Sequence, residues 1–154
     1  MHQVSIQHSD FNFAEEYQRM ATSSQAGAVV GFVGLVRDIN LDQSISGLYL
    51  EHYPGMTEKS LQDISQQAAE RWPILASKII HRIGQLDVNQ QIVMVLVSSA
   101  HRQAAFEACQ FMMDFLKTQA PFWKKERRCN GEEIWLDARE SDQKALQRWS
   151  KTNG

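Results

Sequence analysis

Between Arg102 and Thr118 an apolar run is broken only at Gln103, Glu107, Gln110, Asp114 and Lys117, spaced four, three, four and three. That spacing places all five on one stripe of a helix, with Phe106, Cys109, Phe111, Met112 and Leu116 among the residues around the rest of its surface. A helix so built must be covered on most sides. A sheet together with a second subunit or a partner groove can do this, and so can the core of a single domain. The sequence leaves both open, with a homodimer the natural expectation. Cys109 falls on the apolar side and reads as an inert core thiol.

The helix has to end at Ala120-Pro121. Proline lacks the backbone N–H and disfavours helical geometry in the residue before it. Lys117 therefore belongs to the last turn, and Lys124 lies just past a rigid corner beside Phe122 and Trp123. Two ammonium groups held close together repel, and partial burial makes one of them give up its proton more readily. Such a lysine can serve as an acid, a base or an anion clamp. The plainer reading is a pair of solvated lysines at a helix C-terminus, where cations are favoured anyway.

The rest of the chain alternates short strands with helices. Val4-Gln7 reads as a strand, and Asn12 with Glu15 reads as a helix cap close to a capping box. Gly27-Arg37 is continuous and β-branched, which predicts a strand buried on both faces. Its three glycines predict a bulge or a close approach of another backbone. Asp38-Ser44 reads as a mobile loop, Gly47-Tyr53 as a strand, and Thr57 as the N-cap of a helix closed by Pro73. Ser77-Gly84 and Gln91-Val97 predict an antiparallel pair about a turn at Asp87-Gln90. His81 reads as a half-exposed strand residue. Ser98 or Ser99 is placed to cap the long helix. Asn130-Gly131 predicts a hairpin between Lys125-Cys129 and Glu132-Ala138. A short helix is expected from Gln143 to Trp149.

This order predicts a single α+β domain over 1–154, with a largely antiparallel mixed sheet, packing helices and a C-terminal β-hairpin. Residues from about 141 to 154 form a partly mobile tail. A formal net charge of −2 gives no general pull toward nucleic acid, so any anion site must be a local cluster. No run reaches membrane-spanning length, and the N-terminus has no secretory pattern. Cys109 and Cys129 have no metal-ligand or redox spacing, which suits a reducing cytoplasm. No cofactor motif or metal cluster occurs, and none is expected.

The residues that do gather at element ends are Arg37, His101, Arg102, Lys117 and Lys124. They are cations close to aromatics, without a nucleophile and its base. That composition favours a flat, phosphate-bearing substrate handled by binding and proton transfer. His101 and Arg102 also stand at a helix start, where backbone N–H groups favour anions.

Six segments, taken in order, resemble the large, catalytic subunit of molybdopterin synthase. They are Gly34-Leu35-Val36-Arg37, Leu50-Glu51-His52-Tyr53-Pro54-Gly55-Met56, His81-Arg82-Ile83-Gly84, Ser99-Ala100-His101-Arg102, Lys117-Thr118-Gln119-Ala120-Pro121-Phe122-Trp123-Lys124 and Ala138-Arg139-Glu140-Ser141-Asp142. The resemblance implies an α/β hammerhead type of fold. It implies a sulfurtransferase that converts cyclic pyranopterin monophosphate to the molybdopterin dithiolene. The sulfur would arrive as a thiocarboxylate on the C-terminus of a small ubiquitin-like subunit, and the large subunit would be a dimer within a heterotetramer. By motif, Lys117 and Lys124 correspond to catalytic lysines. Arg37, His101 and Arg102 correspond to substrate-binding residues, and Arg139 to one that reaches the neighbouring subunit. Two rival readings stand beside it. One is a non-catalytic adaptor that binds a ubiquitin-like tail or a nucleotide. The other is a persulfide carried by Cys129, whose plain alternative is a free strand thiol.

Overall fold

The computed structural model describes residues 1–136 and 140–150. Its order is β1 (His2–Gln7), α1 (Phe13–Met20), β2 (Ala28–Leu35), β3 (Ile39–Asn40), β4 (Gln43–His52), α2 (Met56–Arg71), β5 (Ile74–Arg82), β6 (Gly84–Asp87), β7 (Gln91–Ser99), α3 (Arg102–Gln119), β8 (Phe122–Arg128), β9 (Glu133–Leu136) and α4 (Glu140–Gln147). The strands make two sheets. One runs β1-β5-β7-β2 and the other β3-β4-β8-β9, with β6 also paired to β4. Among the described residues only the β1–β5 pair is parallel. The fold is the expected α+β class.

The first sheet is covered on both faces, and the alternation of β7 shows how. Val93, Val95 and Val97 enter the main core with α2 and α3, while Met94 and Leu96 enter a smaller cluster with Phe11 and Ile80. Successive residues of a strand point to opposite faces, so one apolar strand serves two cores. α1 closes the second face, its cap made by the Asn12 carboxamide accepting from the Glu15 N–H.

β2 corrects the expectation of burial on both faces. It pairs only with β7 and forms the sheet edge, leaving Phe32 41% and Leu35 49% exposed. A continuous apolar run does not by itself distinguish a central strand from an edge strand. Its glycines do mark close approaches. A Cβ on Gly31 would come within 2.7 Å of Leu96 and of Phe13, and the register slips between Gly34 and Leu35.

Asp38-Ser44 is likewise no open loop. It forms the β3–β4 hairpin, turning on Leu41 (φ 51°) and Asp42 (φ 65°). Two left-handed residues suit a two-residue hairpin, but the pair lacks the usual glycine.

β5 and β7 pair antiparallel as expected, yet they are not a simple hairpin. At Gly84 (φ 88°) the chain leaves the first sheet and enters the second as β6. Arg82 ties this crossing down by donating to the carbonyls of His8 (3.1 and 3.2 Å) and Gln91 (3.1 Å).

The polar stripe of α3 also proves to be a docking rail. Trp72 Nε1 donates to Glu107 (2.6 Å), and Trp149 Nε1 donates to the buried carboxylate of Asp114 (2.6 Å). Trp149, just past α4, packs edge-on against Trp72 and Phe111. Much of the covering that α3 requires therefore comes from its own chain, although Phe106 stays 60% exposed. Cys109 is buried as expected, and burial pushes its thiol up to about 12.

Candidate active site

The two sheets and the end of α3 enclose a cavity of about 300 Å³. Lys117 reaches it from the last turn of α3, Lys124 from β8, and Arg37 from the segment after β2. Three of the predicted site residues, from three different segments, thus line one space.

The corner that positions the lysines is built as the sequence requires. Ala120 is extended (φ −83°, ψ 131°), so the helix ends at Gln119, with Ala120 as its C-cap before Pro121. The Thr57 hydroxyl then fixes the corner, donating to the Pro121 carbonyl (2.9 Å) while accepting from the Tyr53 N–H (2.9 Å). Thr57 is therefore not the N-cap of α2. Gly55 holds that position, and the Glu58 carboxylate accepts from the Gly55 N–H (3.2 Å). The Thr-x-x-x spacing alone could not show that a hydroxyl faces a carbonyl sixty-four residues away.

Strand alternation then sorts the lysines of β8. Phe122, Lys124 and Glu126 share the face that lines the cavity. Lys125, on the other face, lies over the rings of Tyr49 (5.2 Å) and Trp135 (5.4 Å) and pairs with Glu133 (3.3 Å). Trp123 is also directed away from the cavity lining and is 47% exposed, so of the two aromatics expected at this corner only Phe122 lines the cavity with the lysines. Glu126 is only 1% exposed. It accepts from Asn40 (2.6 Å) and from Arg128 (3.3 Å), and so joins the short β3 to the cavity. A buried carboxylate among cations keeps the local charge from becoming uniformly positive.

His81 is another residue that sequence reasoning placed wrongly. It is 1% exposed, not half-exposed, and its ring stacks on Phe122 at 3.8 Å. Its Nδ1 lies 2.8 Å from the Arg82 carbonyl. A carbonyl can only accept, so Nδ1 carries the proton. Burial holds the imidazole down to about 3, against the opposing effect of that hydrogen bond. Lys117, Lys124 and His52 lower it further. The ring is thus neutral near pH 7 and lines the cavity beside both lysines. The signal that could have found it is the crossing motif His81-Arg82-Ile83-Gly84, whose glycine marks the change of sheet.

His101 and Arg102 are exposed at the opposite end of α3. They lie roughly 22 Å from Lys117 at 1.5 Å per residue. His101 is itself the N-cap, and its side chain makes no capping bond. Neither serine caps the helix through its first turn. Ser99 donates to the Pro73 carbonyl (3.1 Å) and accepts from the His101 N–H (3.4 Å), while Ser98 is buried in the sheet. Arg139 lies outside the described residues. Cys129 is exposed at the β8–β9 turn and is not among the cavity-lining residues.

Residues 6–119 match the sequence profile of a family described as MoaE protein. The chain is 59% identical over 148 residues to a molybdopterin synthase catalytic subunit of Vibrio cholerae serotype O1, covering 96% of this chain and 98% of that protein. Among solved structures, it resembles the molybdopterin biosynthesis MoaE protein from Burkholderia ambifaria, with a TM-score of 0.83 and 46% identity over 97% of this chain and 99% of that one. It also resembles a molybdopterin synthase from Staphylococcus aureus, with a TM-score of 0.80 and 32% identity over 86% of this chain and 96% of that one.

Proposed function

The chain belongs to the MoaE protein family, and from that premise we propose that the cavity bearing Lys117 and Lys124 is its sulfur-transfer site. The protein is a sulfurtransferase of molybdenum cofactor biosynthesis, the catalytic subunit of a molybdopterin synthase. One observation carries the assignment of the site: two lysines from different elements line the same cavity with Arg37.

The substrate proposed is cyclic pyranopterin monophosphate. The sulfur donor is the C-terminal thiocarboxylate of a small ubiquitin-like subunit, whose tail enters the cavity. Donor and substrate are both anions and repel one another. Fixed cations offset that repulsion, Lys117 and Lys124 half-buried and Arg37 exposed at the cavity's rim. Apolar wall from Leu48, Ile92, Leu116 and Phe122 suits a flat ring. Lys117 and Lys124 bind the anionic groups and move protons as two C–S bonds form, each with sulfur from its own thiocarboxylate, whose acyl C–S bond is cleaved by water to leave a carboxylate on the small subunit. The partner supplies the sulfur, so neither Cys109 nor Cys129 takes part. The two free thiols suit a reducing cytoplasm.

His101 and Arg102 stand too far along α3 to serve the cavity of their own chain. They serve the same reaction if a second copy presents its α3 N-terminus to the cavity, which is the homodimer expected at the centre of a heterotetramer. Arg139 is proposed to reach the neighbouring site in the same way.

The test is a single-turnover reaction with thiocarboxylated small subunit and cyclic pyranopterin monophosphate. Wild type forms the dithiolene product, and Lys117→Ala forms little while still binding the small subunit. Tight partner binding without product from wild type would instead favour a non-catalytic adaptor.

A further inference from the structure

We propose that His81 is a positioning residue of this site, a fixed imidazole acceptor whose Nε2 takes a hydrogen bond from the Lys117 ammonium and aims it into the cavity. The geometry fixes the ring on three sides. It belongs to β5, where the chain is about to cross between sheets, and the clamped Arg82 follows it. Phe122 lies flat against one face, at 3.8 Å and 17°. Nδ1 is committed to the Arg82 carbonyl at 2.8 Å. The neutral ring then has a lone pair on Nε2 alone, and the residue lines the same cavity as Lys117. α3 packs against β5, and Lys117 is close enough for its charge to act on the His81 ring.

Charge makes the arrangement useful. The titratable groups around His81 are Lys117 from α3, Lys124 and Glu126 from β8, His52 from β4 and Arg37 at the cavity wall. A protonated histidine would add one more positive charge beside two lysines and would present a second donor to Lys117. Burial and the neighbouring cations keep the ring uncharged. An acceptor that stays neutral can orient an ammonium without cancelling its charge, and that charge is what an anionic substrate needs. The competing account is that His81 is a flat core side chain whose only work is the stack on Phe122.

Two substitutions separate these accounts. His81→Phe keeps a flat ring for the stack but has no acceptor. His81→Gln gives up the stack but can place its Oε1 where Nε2 stood. The inference rests on the sulfur-transfer reading only for its kinetic arm. The other arm follows acylation of Lys117 by acetic anhydride against pH, with mass spectrometry and Lys124 as the internal reference. Losing the acceptor destabilises the ammonium, so in His81→Phe the Lys117 labelling midpoint falls by about 1 pH unit and single-turnover rate falls about tenfold. His81→Gln stays near wild type in both. The opposite ranking, with His81→Phe normal and His81→Gln impaired, overturns the proposal. A measurement that does not depend on either variant folding is the imidazole ¹⁵N spectrum. At pH 7 the wild type shows the neutral Nδ1–H tautomer, and Lys117→Ala shifts the Nε2 resonance as its donor is lost. An unmoved Nε2 resonance overturns the proposal too. Absence of product from wild type would sink the sulfur-transfer reading, while the labelling and ¹⁵N arms would still decide the role of His81.

Discussion

The two ends of α3 carry the same kind of residue in different surroundings. At its C-terminal end, Lys117 meets Lys124 and Arg37 in a cavity backed by buried His81, Phe122 and Glu126, with Thr57 holding the corner. At its N-terminal end, His101 and Arg102 are solvated, and no side chain caps the first turn. Both ends look like anion sites in the sequence. Only one has a frame within its own chain. A cation acquires directed chemistry when neighbouring groups fix it and exclude water, not merely by standing at a helix end.

The sharpest way to break this contrast is at the framed end. Lys117→Ala and Lys124→Ala are expected to slow dithiolene formation by roughly 10²-fold or more, the ordinary scale for a lost proton-transfer group. Retained affinity for the small subunit, measured by calorimetry, should accompany that loss. The solvated end is tested by mixing. If a second copy supplies His101 and Arg102, then Lys117→Ala and Arg102→Ala chains, each inactive alone, restore activity when reassociated. Random pairing gives about a quarter of the wild-type rate, since half the dimers are mixed and each holds one intact site. No restoration would mean that the two ends do not meet.

Acid should act on the framed end as well. Unfolded His81 takes up a proton below about 6.5, whereas the native ring does so only near 3. Between those values the unfolded state binds more protons, so stability falls as pH falls, approaching about 1.4 kcal/mol per pH unit from this group. Urea melts of wild type and His81→Phe across that window measure it; the variant should show a shallower decline. A smaller effect is expected from the pin. Thr57→Val removes one hydroxyl that makes two hydrogen bonds and should cost about 2 kcal/mol. Arg102→Ala, by contrast, should change stability by less than about 0.5 kcal/mol, as solvated positions do.

Much of this architecture was legible locally. Asn12 capped its helix, Pro121 stopped α3 at Gln119 by holding Ala120 extended, and Asn130-Gly131 turned the last hairpin. Each is decided by the backbone preferences of two to four neighbouring residues. The failures share a different cause. β2 looked central because an apolar run says nothing about how many strands lie beside it. His81 looked half-exposed because its cover, Phe122, comes from the other sheet. Asp114 showed only as one position of a polar stripe because its partner, Trp149, comes from past α4. Thr57 looked like a cap because its carbonyl partner belongs to Pro121.

The sequence by itself determined where each element stops, which face of each helix is apolar, and which cations stand at element ends. It also carried the six segments that point to the family. Those properties follow from steric limits on φ and ψ and from fixed periodicities, which act over a few residues. Only the tertiary structure decided which of the cations share a cavity, that Lys124 faces inward and Lys125 outward, and that a neutral histidine sits between the sheets. Those outcomes depend on contacts between residues far apart in the chain, whose geometry exists only once both sheets and α3 have packed together.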